Sequence, residues 1–199
     1  MTKTVEFFFD VGSPTSYLAH TQLPKLAAEC GAELRLRPML LGGVFKATGN
    51  ASPVTVPAKG QWMFGDMARW ARRYGVPLAM NPHFPINTLT LMRVAAGLQL
   101  RESADFARYV DVIFKAMWAA PRNLGDAGEL RAVLVDAGFD ADAIIALAAE
   151  PEVKAALVAT TDEAVARGVF GAPTMFVGKA MFFGQDRLEF VREALTPLA

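Results

Sequence analysis

The chain is predicted to be an α/β protein in which two β-containing segments enclose an all-helical insertion. Three observations predict this fold. A strand–helix–strand pattern fills roughly the first forty residues, helical periodicity dominates residues 61–167, and two short apolar runs before a last helical stretch end the chain. Strands that are far apart in the sequence are therefore expected to meet in one sheet.

The first unit is a β-α-β pattern. Residues 5–11 form an apolar, aromatic-rich run that is too short for a helix and predicts a buried strand. Residues 14–30 have helical spacing, and Pro24 in the middle predicts a kink or a restart of that helix. Residues 33–37 alternate polar and apolar side chains, as a half-buried strand does. A right-handed crossover makes the two strands parallel.

The middle of the chain has a different pattern. Residues 42–59 are rich in Gly, Ala, Pro, Asn and Thr, which predicts a long loop. From there to residue 167 the apolar residues recur at helical spacing almost throughout, as in a helical core rather than an aromatic recognition surface. Glycines stand where three of these helices are expected to end, namely at Gly75, Gly138 and Gly168.

The end of the chain returns to β structure. Residues 174–177 and 180–183 are apolar runs separated only by Gly178-Lys179, which is a strong hairpin signal. A last helix follows, with Asp186 near its N-cap. The element order is that of a thioredoxin fold interrupted by an all-helical insertion domain. The expected boundaries are residues 1–41 and 168–199 for the two thioredoxin-like parts and residues 42–167 for the loop and helical insertion.

Composition narrows the class of protein. The 199 residues are 53% hydrophobic and 20% charged, so the chain can bury a sizeable core. Its 20 basic and 20 acidic residues give a formal charge of zero, which argues against nucleic acid as a partner. No window approaches the ~18 consecutive apolar residues of a membrane helix. Strand-like sequence begins within about four residues, leaving no space for a signal peptide, so a cytoplasmic protein without membrane partners is expected.

Cysteine and histidine are scarce. Cys30 is the single cysteine, so neither an internal disulfide nor a cysteine metal cluster can form, and a small buried residue at a helix end is favoured over a reactive thiol. His20 and His83 are the two histidines. A metal site is therefore not expected, nor is a Cys-His or Ser-His-Asp hydrolase.

The segment Ser13-Pro14-Thr15-Ser16 directly follows the first strand. Ser13 suits the N-cap and Pro14 the first helical position, so this segment brings a helix N-terminus to the end of a strand. In the thioredoxin architecture this position holds a Cys-x-x-Cys motif, and here serine stands at both cysteine positions. A hydroxyl and a helix N-terminus can hold a thiolate that comes from elsewhere. The sequence therefore indicates a bound thiol cofactor and argues against disulfide exchange.

Pro173 stands just before the hairpin. A proline there can simply begin a strand, because it lacks a ladder donor. In thioredoxin-like folds the equivalent proline is cis and faces the helix N-terminus, so a cis Ala172-Pro173 bond is expected. The Ala172 backbone N–H and C=O would then form an open edge, with which an extended peptide such as glutathione could pair.

Several segments together resemble one enzyme family. The sequence is similar to the 2-hydroxychromene-2-carboxylate isomerase family, which shares these motifs with kappa-class glutathione transferases and belongs with them to the DsbA-like superfamily. The similarity spans essentially the whole chain. The matching segments are residues 7–19 (FFFDVGSPTSYLA), Gly49-Asn50, Pro53, Pro57, Lys59-Gly60, Pro85, Asn87-Thr88, Gly171-Ala172-Pro173-Thr174 and Phe183-Gly184-Gln185-Asp186-Arg187.

The resemblance implies roles for particular residues. Ser13 matches the serine that hydrogen-bonds the glutathione sulfur and favours its thiolate, while Ser16 is left with a structural role. Capping of the last helix is the alternative role for Asp186, and it is compatible with the implied binding role. The implied glutathione-binding residues are Ala172 and Pro173 for the cysteinyl part, Gly184, Gln185 and Asp186 for the γ-glutamyl end, and Asn50 and Lys59 for the glycine carboxylate or the acidic substrate. The implied substrate contacts are Lys46 and Asn87.

The resemblance also implies a reaction. 2-Hydroxychromene-2-carboxylate would be converted to trans-o-hydroxybenzylidenepyruvate in naphthalene breakdown, with glutathione as cofactor, a small aromatic carboxylate as substrate and a homodimer as the working unit. A kappa-like transferase that conjugates glutathione to electrophiles shares every motif and stays an alternative. A non-catalytic module that binds glutathione or peptides along the cis-proline edge is a second one. It predicts binding without turnover.

Overall fold

The computed structural model describes residues 3–196. Within that range the predicted order of β-α-β, helical insertion, hairpin and final helix is confirmed. The elements are β1 (Lys3–Phe9), α1 (Pro14–Glu29), β2 (Ala32–Pro38), α2 (Leu41–Thr48), α3 (Pro57–Tyr74), α4 (Leu89–Leu100), α5 (Phe106–Trp118), α6 (Ala127–Asp136), α7 (Ala141–Ala146), α8 (Pro151–Ala166), β3 (Thr174–Val177), β4 (Ala180–Phe183) and α9 (Leu188–Leu195), with short 3-10 turns at Pro53–Thr55, Leu147–Ala149 and Gln185–Arg187.

The four described strands form one mixed sheet in the order β2-β1-β3-β4. β1 runs parallel to β2 and antiparallel to β3, so that Phe7 lies opposite Leu36 on one side and Met175 on the other. β3 and β4 form the predicted hairpin, with Thr174 opposite Phe183. This is the sheet of a thioredoxin fold, and α2–α8 are the helical insertion between β2 and β3. The exact domain boundaries at residues 41 and 168 stay a prediction.

Alternation along β1 divides the core between the two faces of the sheet. Phe7 and Phe9 are fully buried on the face that α1 and α5 cover, and the Phe9 ring lies 5.6 Å from that of Phe114. Phe8 is fully buried on the opposite face, edge-on to Phe176 at 5.7 Å. Both faces of this central strand are therefore covered, which explains why its sequence is a nearly continuous apolar run.

Four charged residues form a network on the Phe8 face. Glu6 accepts hydrogen bonds from Arg37 at 2.8 Å and from Arg167 at 2.7 Å, and both arginines also pair with Glu163 on α8. The Arg167 guanidinium lies 3.9 Å from the centre of the Phe176 ring. The hydrogen bond from Arg167 is the main cause that lowers the pKa of Glu6, and the charge of Arg37 adds to it against the effect of burial. The network ties α8 to the sheet.

Glu6→Gln is expected to lower the free energy of unfolding by about 2 kcal/mol at neutral pH, because two charge-assisted hydrogen bonds are weakened. The folded pKa of Glu6 lies below its unfolded value, so this stabilisation is complete above the unfolded pKa of about 4.3 and is lost as the pH falls through the folded pKa. Urea unfolding from pH 3 to pH 7 measures it. Glu33→Gln, on the exposed edge of β2, is the control and should change stability little.

One expectation about the fold is wrong, and one of the two alternatives predicted for Pro24 is excluded. Residues 42–59 are not one long loop, because α2 occupies Leu41–Thr48 and a 3-10 turn follows at Pro53–Thr55. No restart occurs at Pro24, since α1 is one helix from Pro14 to Glu29. The alternative expectation of a kink at Pro24 stays open. Among the described helices none is long and apolar enough to cross a membrane.

Candidate active site

Ser13 is the N-cap of α1, as predicted. Its backbone is extended, and its Oγ accepts a hydrogen bond from the Ser16 N–H at 3.1 Å, while Pro14 fills the first helical position. Ser13 is only 5% exposed. A 16-residue helix therefore directs its N-terminal N–H groups and the positive end of its dipole at this serine. That combination favours an anion next to the hydroxyl.

Three oxygen atoms converge in front of this N-terminus. Ser13 Oγ and Thr15 Oγ1 each lie 3.2 Å from the carbonyl oxygen of Ala172, and the two hydroxyl oxygens are 3.0 Å apart. The Ala172-Pro173 bond is cis, as expected, and the Ala172 N–H is not paired with any backbone carbonyl of residues 3–196. The structure thus brings Ser13 to the Ala172 edge. It also brings there the hydroxyl of Thr15, a residue for which the sequence predicted no role.

The Asp10 side chain fixes the loop that leads to Ser13. Its carboxylate is buried and accepts hydrogen bonds from the N–H groups of Gly12 at 2.9 Å and Leu41 at 2.8 Å, and from the Thr88 hydroxyl at 3.1 Å. Burial raises the pKa of Asp10, against the opposing effect of these three hydrogen bonds. The Asp10 side chain therefore joins the loop before α1 to the start of α2 and of α4. No local sequence pattern indicates this role.

The predicted γ-glutamyl residues follow β4. The Gly184 N–H donates to the Pro173 carbonyl at 3.0 Å, so Gly184-Gln185-Asp186 lies beside the cis-proline edge. Gly184 has φ +100°, and a Cβ there would collide with the Asp186 carboxylate, so only glycine suits this turn. Asp186 directly precedes Arg187, the N-cap of the last helix, as predicted, but the alternative role of capping that helix is wrong. Asp186 lies in a 3-10 turn, α9 begins two residues later after Arg187, and no side chain caps that helix.

Tyr74, at the end of α3, supports the same turn. Its hydroxyl donates to the Gln185 carbonyl at 2.6 Å. Burial, followed by the nearby negative charge of Asp186, raises the pKa of Tyr74 to about 12, so the phenol stays a hydrogen-bond donor. Asp186 lines a cavity of about 190 Å³ together with Trp70 and Tyr74. This cavity lies along the C-terminal half of α1, and the Asp186 carboxylate in it is partly exposed and accepts a hydrogen bond from Arg187 at 2.6 Å.

The remaining predicted residues lie on exposed parts of the chain. The Asn50 amide donates to the Phe170 carbonyl at 2.8 Å, so Asn50 braces the segment that leads to Ala172. Asn87 uses its side-chain oxygen to accept from the Leu89 N–H at 3.0 Å, at the start of α4. Lys46 lies exposed on α2 and Lys59 lies exposed in the first turn of α3, each free to turn towards a carboxylate.

An apolar cavity of about 620 Å³ lies between α3 and the loop before α4. The same loop reaches the Ser13 site, because the Thr88 side chain packs against Gly12 and bonds Asp10. Asn81 fixes the loop by donating to the carbonyls of Met117 and Arg122. The lining residues are Val54, Pro57, Gly60, Gln61, Phe64, Met80, Asn81, Phe84 and Pro85.

No thiol of the chain serves this site. Cys30 is the C-cap of α1 and lies a whole helix away from Ser13, about 24 Å at the usual rise per residue. Residues 3–196 also contain no group of three His, Cys, Asp or Glu side chains that could hold a metal ion. A nucleophilic sulfur at the Ser13 position must therefore be supplied by a ligand.

The chain is similar to known proteins over nearly its whole length. Residues 4–196 match the family described as DSBA-like thioredoxin domain. The chain is 36% identical over 197 residues to the 2-hydroxychromene-2-carboxylate isomerase of Sphingobium xenophagum, covering 98% of this chain and 99% of that protein. It belongs to this isomerase family within the DsbA-like proteins. A solved structure of a 2-hydroxychromene-2-carboxylate isomerase superposes with a TM-score of 0.84 at 32% identity, covering 96% of this chain and 94% of that one.

The family also has relatives of a second kind. Human glutathione S-transferase kappa 1 is 28% identical over 211 residues, covering 98% of this chain and 92% of that protein. Both kinds of relative match over nearly the full length, so the helical insertion is common to them. The higher sequence identity, 36% against 28%, favours the isomerases.

Proposed function

We propose that this protein is a glutathione-dependent isomerase that converts 2-hydroxychromene-2-carboxylate to trans-o-hydroxybenzylidenepyruvate. One observation carries the proposal: two hydroxyls and a helix N-terminus converge on the Ala172 edge, and the nearest thiol of the chain lies at the far end of that helix. Such a site can stabilise a thiolate that a bound cofactor brings. The full-length similarity to enzymes named for this reaction supports the choice of substrate.

Glutathione would bind as an extended strand along the Ala172 edge. Its cysteinyl backbone pairs with the N–H and C=O of Ala172, which places the sulfur in front of Ser13. The γ-glutamyl ammonium is directed to Asp186 beside Gln185, and the glycine carboxylate to the side of Asn50 and Lys59. Asn50 already orients the Phe170 carbonyl two residues before this edge.

The first effect of the site would be to stabilise the thiolate of bound glutathione. A free thiol has a pKa of about 8.5 and is mostly protonated at neutral pH. Hydrogen bonds from Ser13 and Thr15 and the field of α1 stabilise the anion and lower that pKa. Because the Ser13 oxygen already accepts from the Ser16 N–H, its own proton is free to turn from the Ala172 carbonyl to the sulfur.

The isomerisation then needs ring opening followed by reversible addition. In ring opening the bond between C2 and the ring oxygen breaks, the 2-hydroxyl becomes the ketone, and its proton passes to the phenol oxygen. The thiolate attacks the alkene carbon conjugated with the ketone of the ring-opened substrate, and the π electrons move to the ketone oxygen as an enolate. The former double bond is now single and rotates. The enolate electrons re-form the alkene and expel the thiolate, so glutathione returns unchanged. The apolar cavity holds the ring, and Lys59, Lys46 and Asn87 are the proposed partners of the carboxylate and the enolate.

A spectrophotometric assay with a thiol count tests the proposal. Purified protein and 2-hydroxychromene-2-carboxylate are mixed with and without glutathione, and the ultraviolet change is followed while free thiol is titrated before and after. The expected result is glutathione-dependent conversion with no loss of thiol. Conversion that proceeds equally fast without glutathione contradicts the proposal.

A kappa-like transferase is the second candidate, because human glutathione S-transferase kappa 1 matches the chain nearly end to end. It predicts that thiol disappears in proportion to an added electrophile. Glutathione binding by calorimetry with neither isomerisation nor conjugation would instead favour a non-catalytic binding module. The thiol count therefore separates isomerisation from conjugation, and calorimetry identifies binding without turnover.

We further propose that the protein works as a homodimer in the cytoplasm, in the catabolism of aromatic compounds and without nucleic-acid partners. The formal charge of zero supports the absence of nucleic-acid partners, and the named substrate of the relatives supports the metabolic role.

Light scattering after size-exclusion chromatography tests the proposed dimer directly. A single species with the mass of one chain at micromolar concentration contradicts it.

Thr15→Val is expected to lower kcat/KM about tenfold, because the second hydroxyl donor to the thiolate is lost while the side-chain shape is kept. The acid limb of the pH–rate profile should move to higher pH, since the thiolate is less stabilised. Thr90→Val is a matched control, because Thr90 is also the second residue of a helix, α4, and is exposed. Identical pH–rate profiles for Thr15→Val and the wild type would show that Thr15 does not stabilise the thiolate.

A further inference from the structure

Two polar atoms of α1 are buried without a hydrogen-bond partner in residues 3–196. They are Ser16 Oγ and His20 Nδ1. Ser16 is fully buried, and the His20 side chain is 11% exposed. Buried polar atoms in folded proteins nearly always have partners, and an unmade bond destabilises the fold. Two such atoms in neighbouring turns of one helix call for a common explanation.

The two atoms complement one another. Residues four apart in a helix lie on the same face, so the side chains of Ser16 and His20 are neighbours. A serine hydroxyl is a donor, and a neutral imidazole has one ring nitrogen that is an acceptor. No direct hydrogen bond joins them in the structure, so a different Ser16 rotamer or one internal water between the two atoms is needed to satisfy both.

The other ring nitrogen of His20 fixes which atom accepts. Nε2 lies 3.6 Å from Asp111 Oδ1, and the second oxygen of Asp111 accepts from Lys115 at 2.7 Å. The ring is stacked on Phe114 at 4.9 Å, so α5 holds its orientation. A carboxylate beside Nε2 favours the proton on that nitrogen, which leaves the unpartnered Nδ1 as the acceptor.

We propose that Asp111, His20 and Ser16 form a polar chain that runs from the surface into the first turns of α1, and that His20 is a positioning residue for the thiolate site. The chain ends at the turn that carries the site, because the Ser16 N–H donates to Ser13 Oγ at 3.1 Å. It anchors the first turn of α1 to α5 and so fixes the direction in which Ser13 and Thr15 present their hydroxyls. The positioning role rests on the proposed glutathione site, whereas the pairing of Ser16 with His20 does not.

Nitrogen NMR tests the pairing without any ligand. The chain has two histidines, and exposed His83 serves as the internal reference. The wild-type spectrum should show His20 with its proton on Nε2 and a hydrogen-bonded Nδ1. Ser16→Ala should move the Nδ1 resonance to that of a free ring nitrogen, and Ser16→Thr should restore it. An unmoved resonance in Ser16→Ala overturns the pairing.

Ultraviolet absorbance of the thiolate tests the positioning role with bound glutathione. Ser16→Ala and His20→Phe should lower the thiolate fraction at neutral pH about threefold. Thr21→Ala should leave it unchanged, because the Thr21 hydroxyl donates to the Leu18 carbonyl outside the chain of contacts. An unchanged thiolate fraction, or no glutathione binding by the wild type, overturns the role of His20. A protein that binds glutathione but converts no substrate contradicts only the isomerase proposal.

Discussion

Ser13→Ala is expected to lower kcat/KM for the isomerisation by about a hundredfold or more, the usual effect of removing a donor from a developing or bound anion. The thiolate keeps Thr15 and the helix N-terminus, so some activity should remain. The pKa of bound glutathione should rise by about 1 to 2 units, since each unit corresponds to 1.36 kcal/mol of lost interaction with the anion. The acid limb of the pH–rate profile should shift upwards by the same amount.

Loss of the N-cap must be separated from loss of the sulfur contact. Removing a capping side chain costs about 1 kcal/mol of stability wherever it occurs. Asp126→Ala is a matched control, because Asp126 is the N-cap of α6 and its side chain accepts from the Glu129 N–H at 2.9 Å. Both variants should unfold slightly earlier in urea, but only Ser13→Ala should change the pH–rate profile. Equal profiles in Ser13→Ala and the wild type would show that Ser13 does not stabilise the thiolate.

The parts of the fold with strong local patterns could be predicted from the sequence. The Gly178-Lys179 turn lies between strands with the predicted bounds, and Gly75 takes the left-handed conformation, with φ +67°, at the end of α3. These features depend on residues a few positions apart. The same holds for the N-cap at Ser13, which needed only the residues that follow it.

Features that depend on distant packing could not be predicted. α2 begins with Leu41-Gly42-Gly43, a poor helical sequence. A Cβ on Gly43 would lie only 3.1 Å from the Thr161 side chain, so glycine is needed where α2 approaches α8. Tertiary packing thus overrides a composition that is typical of a loop.

The same limit applies to the site. Thr15 faces the Ala172 carbonyl, 157 residues away along the chain, and no local pattern indicates that contact. Asp10 bonds residues 31 and 78 positions later. The mistaken capping role of Asp186 has a local cause, because the 3-10 turn after Gly184 delays the start of α9 by two residues. Local sequence patterns therefore identify polar residues that could belong to a site. The packing of distant segments determines which groups those residues contact.

Asp10→Asn is expected to lower the free energy of unfolding by about 3 kcal/mol or more. The carboxylate accepts three hydrogen bonds, and an amide replaces one of its oxygens with a group that donates. At least one buried N–H, that of Gly12 or Leu41, then loses its acceptor and faces another donor. Urea unfolding of Asp10→Asn beside Asp162→Asn, an exposed position on α8, measures the effect.

Activity should fall together with stability in this variant. The Gly12 N–H is two residues from Asp10, and the Ser13 N–H donates to the Asp10 carbonyl, so a shift of this loop moves the Ser13 hydroxyl away from the Ala172 edge. We expect kcat/KM to fall at least tenfold at a temperature where the variant is fully folded. Thr88→Val removes only one of the three hydrogen bonds and should cost about 1 kcal/mol, which keeps the test possible if Asp10→Asn does not fold. A stable, fully active Asp10→Asn protein would mean that the loop is held by packing against α4 and not by the buried carboxylate.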